Sequence, residues 1–261
     1  MSQCKCLLGR SAIMSLLCVT LLWASVTAFA QSGSQVVRGI NGSWEAYPQR
    51  SAGLGSTTRG SLPAPAPVPE PPLKPELLSK WKAEQTRNAE LTQKGLPPVS
   101  SGMACLPEGM PGMMQSTFPM EVLETPGQVT IIQEAFNQVR RIYLNEKLIA
   151  PEDAEPFFSG HSVGSWEGNT LVVRTVGVKT TVRFRNVPHS TNMRITERIR
   201  LVNDEFMENQ VTIEDPENLT KPWTWTWMYK RWPGYKIQEY VCEDNRYFGD
   251  PALGNQRLRV Q

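Results

Sequence analysis

The sequence predicts a mainly β fold: an antiparallel meander closed, or nearly closed, into a barrel, with one short helix ahead of it. Three observations carry this expectation. After Phe118 the chain breaks into short runs rich in β-branched and aromatic residues. Turn signals separate the runs: Asn145-Glu146, Gly168-Asn169, Asn203-Asp204, Asp215-Pro216 and Pro233-Gly234. Several runs also alternate apolar and polar residues, as strands with one buried face do. A two-sheet sandwich is the alternative arrangement.

The elements follow in order. Residues 1–30 read as an export signal: Lys5 and Arg10, an apolar run from Ala12, then Ala28-Phe29-Ala30 as a small-x-small cleavage site. Cys18 within "SLLC" fits a lipoprotein site poorly, because leucine precedes it. Residues 31–76 read as a flexible, proline-rich segment containing one aromatic island, Asn41–Tyr47. Residues 77–115 hold the helix and a Met/Pro-rich loop. Pro75 suits the helix's first turn; Leu77, Leu78, Trp81 and Ala83 give part of an apolar face; Gly95 suits its end. The loop should lie over an apolar surface, pinned by Cys105. The barrel is expected over 116–247, with strands at 128–134, 138–144, 162–167, 170–177, 192–202, 205–214, 223–231 and 235–242, and a tail at 248–261.

Charge and cysteine use bound the function. The chain has 27 Lys+Arg against 25 Asp+Glu. Losing Lys5 and Arg10 with the signal brings the two signs level, so nothing points to nucleic acid or to a general affinity for anionic membranes. No later apolar run is long enough to span a bilayer. Of five cysteines, three leave with the signal. Cys105 and Cys242 remain, an even pair that favours one disulfide in a periplasmic or secreted protein. Two free buried thiols are the alternative. Two isolated cysteines are too few ligands for a metal, and no motif names a cofactor.

Strand parity gives the candidate site. In 192–202, Glu197 shares a face with Met193, Ile195, Ile199 and Leu201. A buried carboxylate needs a partner. Asn209 falls between Met207 and Val211, Glu239 between Ile237 and Val241, and Trp223, Trp225 and Trp227 share a face with Tyr229. An apolar, aromatic interior dotted with polar groups is the profile of a small-molecule cavity, with Trp166, Asn209, Trp223, Trp225, Trp227 and Glu239 as its ligand-binding residues. The competing reading is a solid core with Glu197 locked to an arginine such as Arg140 or Arg174. The only two histidines, His161 and His189, are each followed by serine. Neighbours on a strand face opposite ways, so neither pair is a nucleophile–base dyad. Each histidine is either a turn residue bonded to backbone or a functional acid–base group.

Two resemblances add to this. Gly42-Ser43-Trp44 is similar to the Gly-x-Trp that opens the first strand of lipocalin-type barrels, which makes the barrel expectation lipocalin-like. The ordered run "CLPEGMPGMM", "TPGQVTIIQE", "VRRIYL", "GHSVGSWEGNTLVVRTVG", "PHSTNMRITERIRL", "TIEDPENLTKPWT" and "EYVCEDNRY" resembles a group of exported bacterial proteins, over roughly residues 70–247. That resemblance implies a periplasmic or secreted β-rich domain and implies no activity. Asn169 and Arg174 stand where such hairpins usually carry acids.

The leading functional expectation is an exported β-barrel that binds a small molecule in an aromatic cavity. The first rival is a cofactor-free lyase, isomerase or hydrolase in which His161 or His189 acts as acid or base and Glu197 tunes it. A metal held by those three residues is a variant of that rival. A structural, envelope-associated protein is the third expectation.

Overall fold

In a computed structural model that describes residues 39–48, 62–96 and 105–242, nine strands form one closed barrel. The strands are β1 (Gly42–Tyr47), β2 (Met120–Thr125), β3 (Gln128–Gln133), β4 (Gln138–Leu144), β5 (His161–Glu167), β6 (Thr170–Val176), β7 (Arg194–Leu201), β8 (Phe206–Glu214) and β9 (Trp223–Arg231). Each pairs with its sequence neighbours, and β1 pairs antiparallel with both β2 and β9. That closure sets the sandwich aside and gives a lipocalin-like barrel. The expected signal and tail, 1–30 and 248–261, lie outside the described residues.

Two strands were not expected. β1 falls in the segment read as flexible, so the barrel begins well upstream of residue 116. Trp44 anchors it: the ring is fully buried, its Nε1 donates to the Ile40 carbonyl at 2.8 Å, and the Arg231 guanidinium lies 4.1 Å over it. β2 completes a hairpin with β3. Conversely, 235–242 is not a strand. With β1 already paired to β9, closure leaves no edge for a further strand to join.

The order departs from a pure meander at one seam. β4 and β5 run parallel and pair only from Ile142–Leu144 to Ser162–Gly164. A parallel step needs a crossover, here residues 145–160. The β5–β6 hairpin forms as its sequence predicts, with Glu167 opposite Thr170. Gly168 takes φ +60° while Asn169 does not adopt positive φ, which suits a type II′ turn with glycine first.

One end of the barrel is stoppered by the Met-rich loop. Met110 just ahead of a 3₁₀ turn at Gly112–Gln115, and Met113 and Met114 within it, are buried. Gly109 N–H donates to Gln138 Oε1 at 3.0 Å, Gln133 Nε2 to the Met113 carbonyl at 3.0 Å, and the Tyr229 hydroxyl to the Met114 carbonyl at 2.7 Å. Flexible thioethers suit such an irregular space. Residues 235–242 form a strap instead of a strand. Glu134 Oε2 accepts from the Tyr235 hydroxyl at 2.5 Å and from Gln238 N–H at 2.9 Å, and Tyr240 packs on Phe118 and Phe136. The strap ends at the Cys105–Cys242 disulfide, which spans 137 residues. Closing so long a loop contributes about 5 kcal/mol on chain-entropy reasoning.

The helix α1 (Pro75–Gln93) forms where expected. It buries no residue fully; Leu77, Leu78 and Trp81 rest on the core's edge, and Trp81 Nε1 donates to the Arg185 carbonyl at 3.0 Å. The proline-rich residues before it serve as a wall. Leu73 bridges to Leu219, and the Pro69 carbonyl accepts from Trp223 Nε1 at 3.0 Å.

Candidate functional site

Parity places the interior polar residues as expected. On β7, Ile195, Glu197 and Ile199 are buried; on β8, Met207, Asn209, Val211 and Ile213; on β9, Trp223, Trp225, Trp227 and Tyr229. Glu197 is locked to an arginine, and that arginine is Arg140. Glu197 Oε2 meets Arg140 Nη2 at 2.5 Å with both side chains essentially unexposed. Glu197 Oε1 accepts from Asn209 Nδ2 at 2.8 Å. Arg140 also donates to Ser162 Oγ at 3.2 Å and Thr175 Oγ1 at 2.9 Å. Arg174, the other candidate partner, is exposed. Burial, and secondarily the Glu197 charge, pushes the neighbouring Tyr229 phenol well above its ordinary range.

The aromatic residues fill this interior. Trp223 and Trp225 centroids are 4.7 Å apart, Trp225 and Trp227 5.3 Å. Phe184, from the β6–β7 connection, stacks on Trp225 at 5.4 Å and 18°. Two spaces beside them are small: about 20 Å³ beside Trp223 and His189, and about 130 Å³ beside Trp227 under the proline segment. A drug-sized ligand needs several hundred. The three tryptophans and Met110, Met113 and Met114 belong to one packed core cluster, with Phe184 packed against it.

The remaining expected residues separate. His161 begins β5 on its outer face, opposite in direction to buried Ser162. Its Nε2 bonds the Glu155 carbonyl at 2.7 Å, and Phe157 lies 5.0 Å away, ring to ring. His189 is held between two backbone carbonyls, Ser190 at 3.0 Å and Lys179 at 3.1 Å. Both histidines are thus seated on backbone groups, and neither meets Glu197. The acid–base trio is not assembled, and among the described residues no three His, Cys, Asp or Glu side chains converge to hold a metal. Trp166 is half-buried at the hairpin end of β5, packed against the core. Glu239 is exposed on the strap, because the strand that would have turned it inward does not form.

No family model and no curated protein matches the chain. A concave feature that includes an expected residue, His161, lies at the parallel seam.

Below Ile142 and Ser162 the two strands part. Between them opens a groove of about 360 Å³, within the range of small-ligand sites. Its walls carry four large apolar side chains left exposed: Val139 (43 %), Tyr143 (42 %), Ile149 (41 %) and Phe157 (44 %). Val139, Arg141 and Tyr143 are the outward residues of β4, while Gln138, Arg140 and Ile142 point in. His161, Ser159, Arg141 and Lys147 supply polar groups. Arg141 and Lys147 make no ion pair or side-chain hydrogen bond among the described residues.

The sequence "GHS" builds the seat of His161. Gly160 takes φ +64°, and a Cβ there would stand 2.6 Å from the Val176 carbonyl. Gly177 takes φ +68°, and a Cβ there would approach His161 Cδ2 to 3.0 Å and Ala154 Cβ to 2.7 Å. Only glycine fits both places. The Cδ2–Nε2 edge of the imidazole is turned toward Gly177 and Glu155. Because a carbonyl can only accept, Nε2 carries the proton it donates, and in the neutral ring Nδ1 is the acceptor. Sequence reasoning found His161 but not the groove. The available signal was the apolar outer face of "QVRRIYL", where Val139 and Tyr143 sit on the solvent side of a strand.

Proposed function

We propose that the chain is an exported protein that binds a small molecule, taken in the groove at the β4–β5 seam rather than inside the barrel. The leader-like N-terminus and the disulfide favour the periplasm or the exterior. The observation that carries the reading is the gathering of Val139, Tyr143, Ile149 and Phe157, all exposed, around one cleft with His161 at its side. Apolar side chains singly exposed are ordinary; grouped in a concave site with a few polar groups they mark a binding surface. The histidine–glutamate enzyme is not carried forward, because Glu197 faces the interior and His161 the outside.

Native mass spectrometry of the protein purified from its own envelope tests the proposal. A bound small molecule at one per chain is expected. It should be lost from the Tyr143→Ser/Phe157→Ser double variant, whose two changes are at exposed positions and leave the core untouched. An adduct that survives this double substitution would place binding elsewhere.

A further inference from the structure

We infer that the groove selects an aromatic carboxylate bearing a hydroxyl group; this rests on the groove being the binding site. Three features of the lining converge on that chemistry. Tyr143 and Phe157 bring two exposed aromatic rings to the lining, one from β4 and one from the crossover that leads into β5. A flat ring meets such rings in stacked or edge contacts that a branched alkyl group does not match. Arg141 and Lys147 bring two cations to the lining against one acid, Glu146. Neither cation is neutralised by a partner among the described residues. Two unpaired cations in one lining favour a carboxylate, which a planar arginine can bind through two parallel hydrogen bonds.

The third feature is the orientation of His161. Its Nε2 is committed to the Glu155 carbonyl and its Cδ2 edge is packed toward Gly177. The Nδ1 edge is the one left to the groove, and in the neutral ring it accepts. A ligand hydroxyl supplies the matching donor. The Glu155 carbonyl and the close approach of Gly177 hold the ring in this one orientation, so the acceptor is preset before the ligand arrives and costs little ordering on binding. An aryl carboxylate without a hydroxyl would use two of the three features; a hydroxyaryl carboxylate uses all of them.

Amide chemical-shift titration of the ¹⁵N-labelled full chain distinguishes the parts of this claim. The probes are 4-hydroxybenzoate, its neutral amide 4-hydroxybenzamide, and 4-methoxybenzoate, which keeps the charge and lacks the donor. Shifts are expected at Val139–Tyr143 and Ser159–Val163, with the carboxylate about tenfold tighter than the amide. Arg141→Gln/Lys147→Gln should abolish that preference without altering the affinity for the amide. The methoxy compound should bind several-fold more weakly than the hydroxy one, and His161→Phe should erase this difference. Equal binding of amide and carboxylate within the groove would overturn the anion inference while leaving the groove as the site. Equal binding of the hydroxy and methoxy compounds would overturn the role of His161. Shifts that avoid the groove with all three probes would overturn both the inference and the function it rests on.

Discussion

Glu197 is the residue on which the interior turns. Its carboxylate has no exposure, and its two oxygens are divided between Arg140 and Asn209. Neither charge is tolerable there without the other. Arg140→Ala should therefore destabilise the fold by about 3–5 kcal/mol, measured by urea unfolding, because it strands a buried anion. Arg140→Met combined with Glu197→Leu should recover roughly half of that loss, since both charges leave together. A double variant as unstable as the single one would show that the pair is held for reasons other than mutual neutralisation. The inward placement of Glu197 was legible in the alternation of "NMRITERIRL", and so was its need for a partner. Which partner was not legible, because Arg140 and Glu197 are joined only by three-dimensional closure, 57 positions apart. His161 shows the opposite case. "GHS" marks a constrained position, but its meaning depends on Gly177 and Glu155 arriving from other segments.

At the scale of elements, alternation foretold most of β3 to β9, because these have a wet face and a buried one; β6, largely apolar and buried along Leu171–Val173, was found by its β-rich composition and flanking turn instead. Alternation failed at β1 and β2, which are short and carry polar residues: Glu45 is buried in β1, and β2 reads "MEVLET". It also failed at 235–242, where alternation is present but no sheet edge remains to pair with. The methionine stopper was legible as a loop laid on apolar surface, yet one of its groups stands out only in the fold. Glu108 has a carboxyl oxygen buried without a hydrogen-bond partner, and burial raises its pKa to about 7. The folded state thus holds this proton more tightly than the unfolded chain, whose carboxyl titrates at its ordinary value. The protonated group fits the stopper below the unfolded pKa, and stability falls as pH rises toward 7. Glu108→Gln should remove this dependence. It should raise stability at pH 8 by up to about 3 kcal/mol and change little at pH 4.5, as read from urea midpoints. An equal effect at both pH values would contradict the assignment.

Among the described residues the molecule is a closed barrel around a packed core. Phe184, the three tryptophans and the stopper occupy it, the proline segment and α1 cover its flank, and the strap is tied to the stopper by the disulfide. Among the described residues no helix is long and apolar enough to cross a membrane. The groove proposed for a ligand lies where the barrel is least regular, at the parallel β4–β5 junction. The sequence profile of an apolar interior with few polar groups suggested a cavity, but the same profile describes a packed core with one buried ion pair. What separates the two is free volume, and volume is not a property of strand parity. A crystal structure of the protein with its envelope-derived ligand retained tests this most directly. Density against Phe157, Tyr143 and His161, with Met113 and Met114 still inside the barrel, is the predicted result. Density among Trp223, Trp225 and Trp227, with the methionines displaced and the unpartnered Trp225 and Trp227 N–H groups bound to the guest, would contradict it.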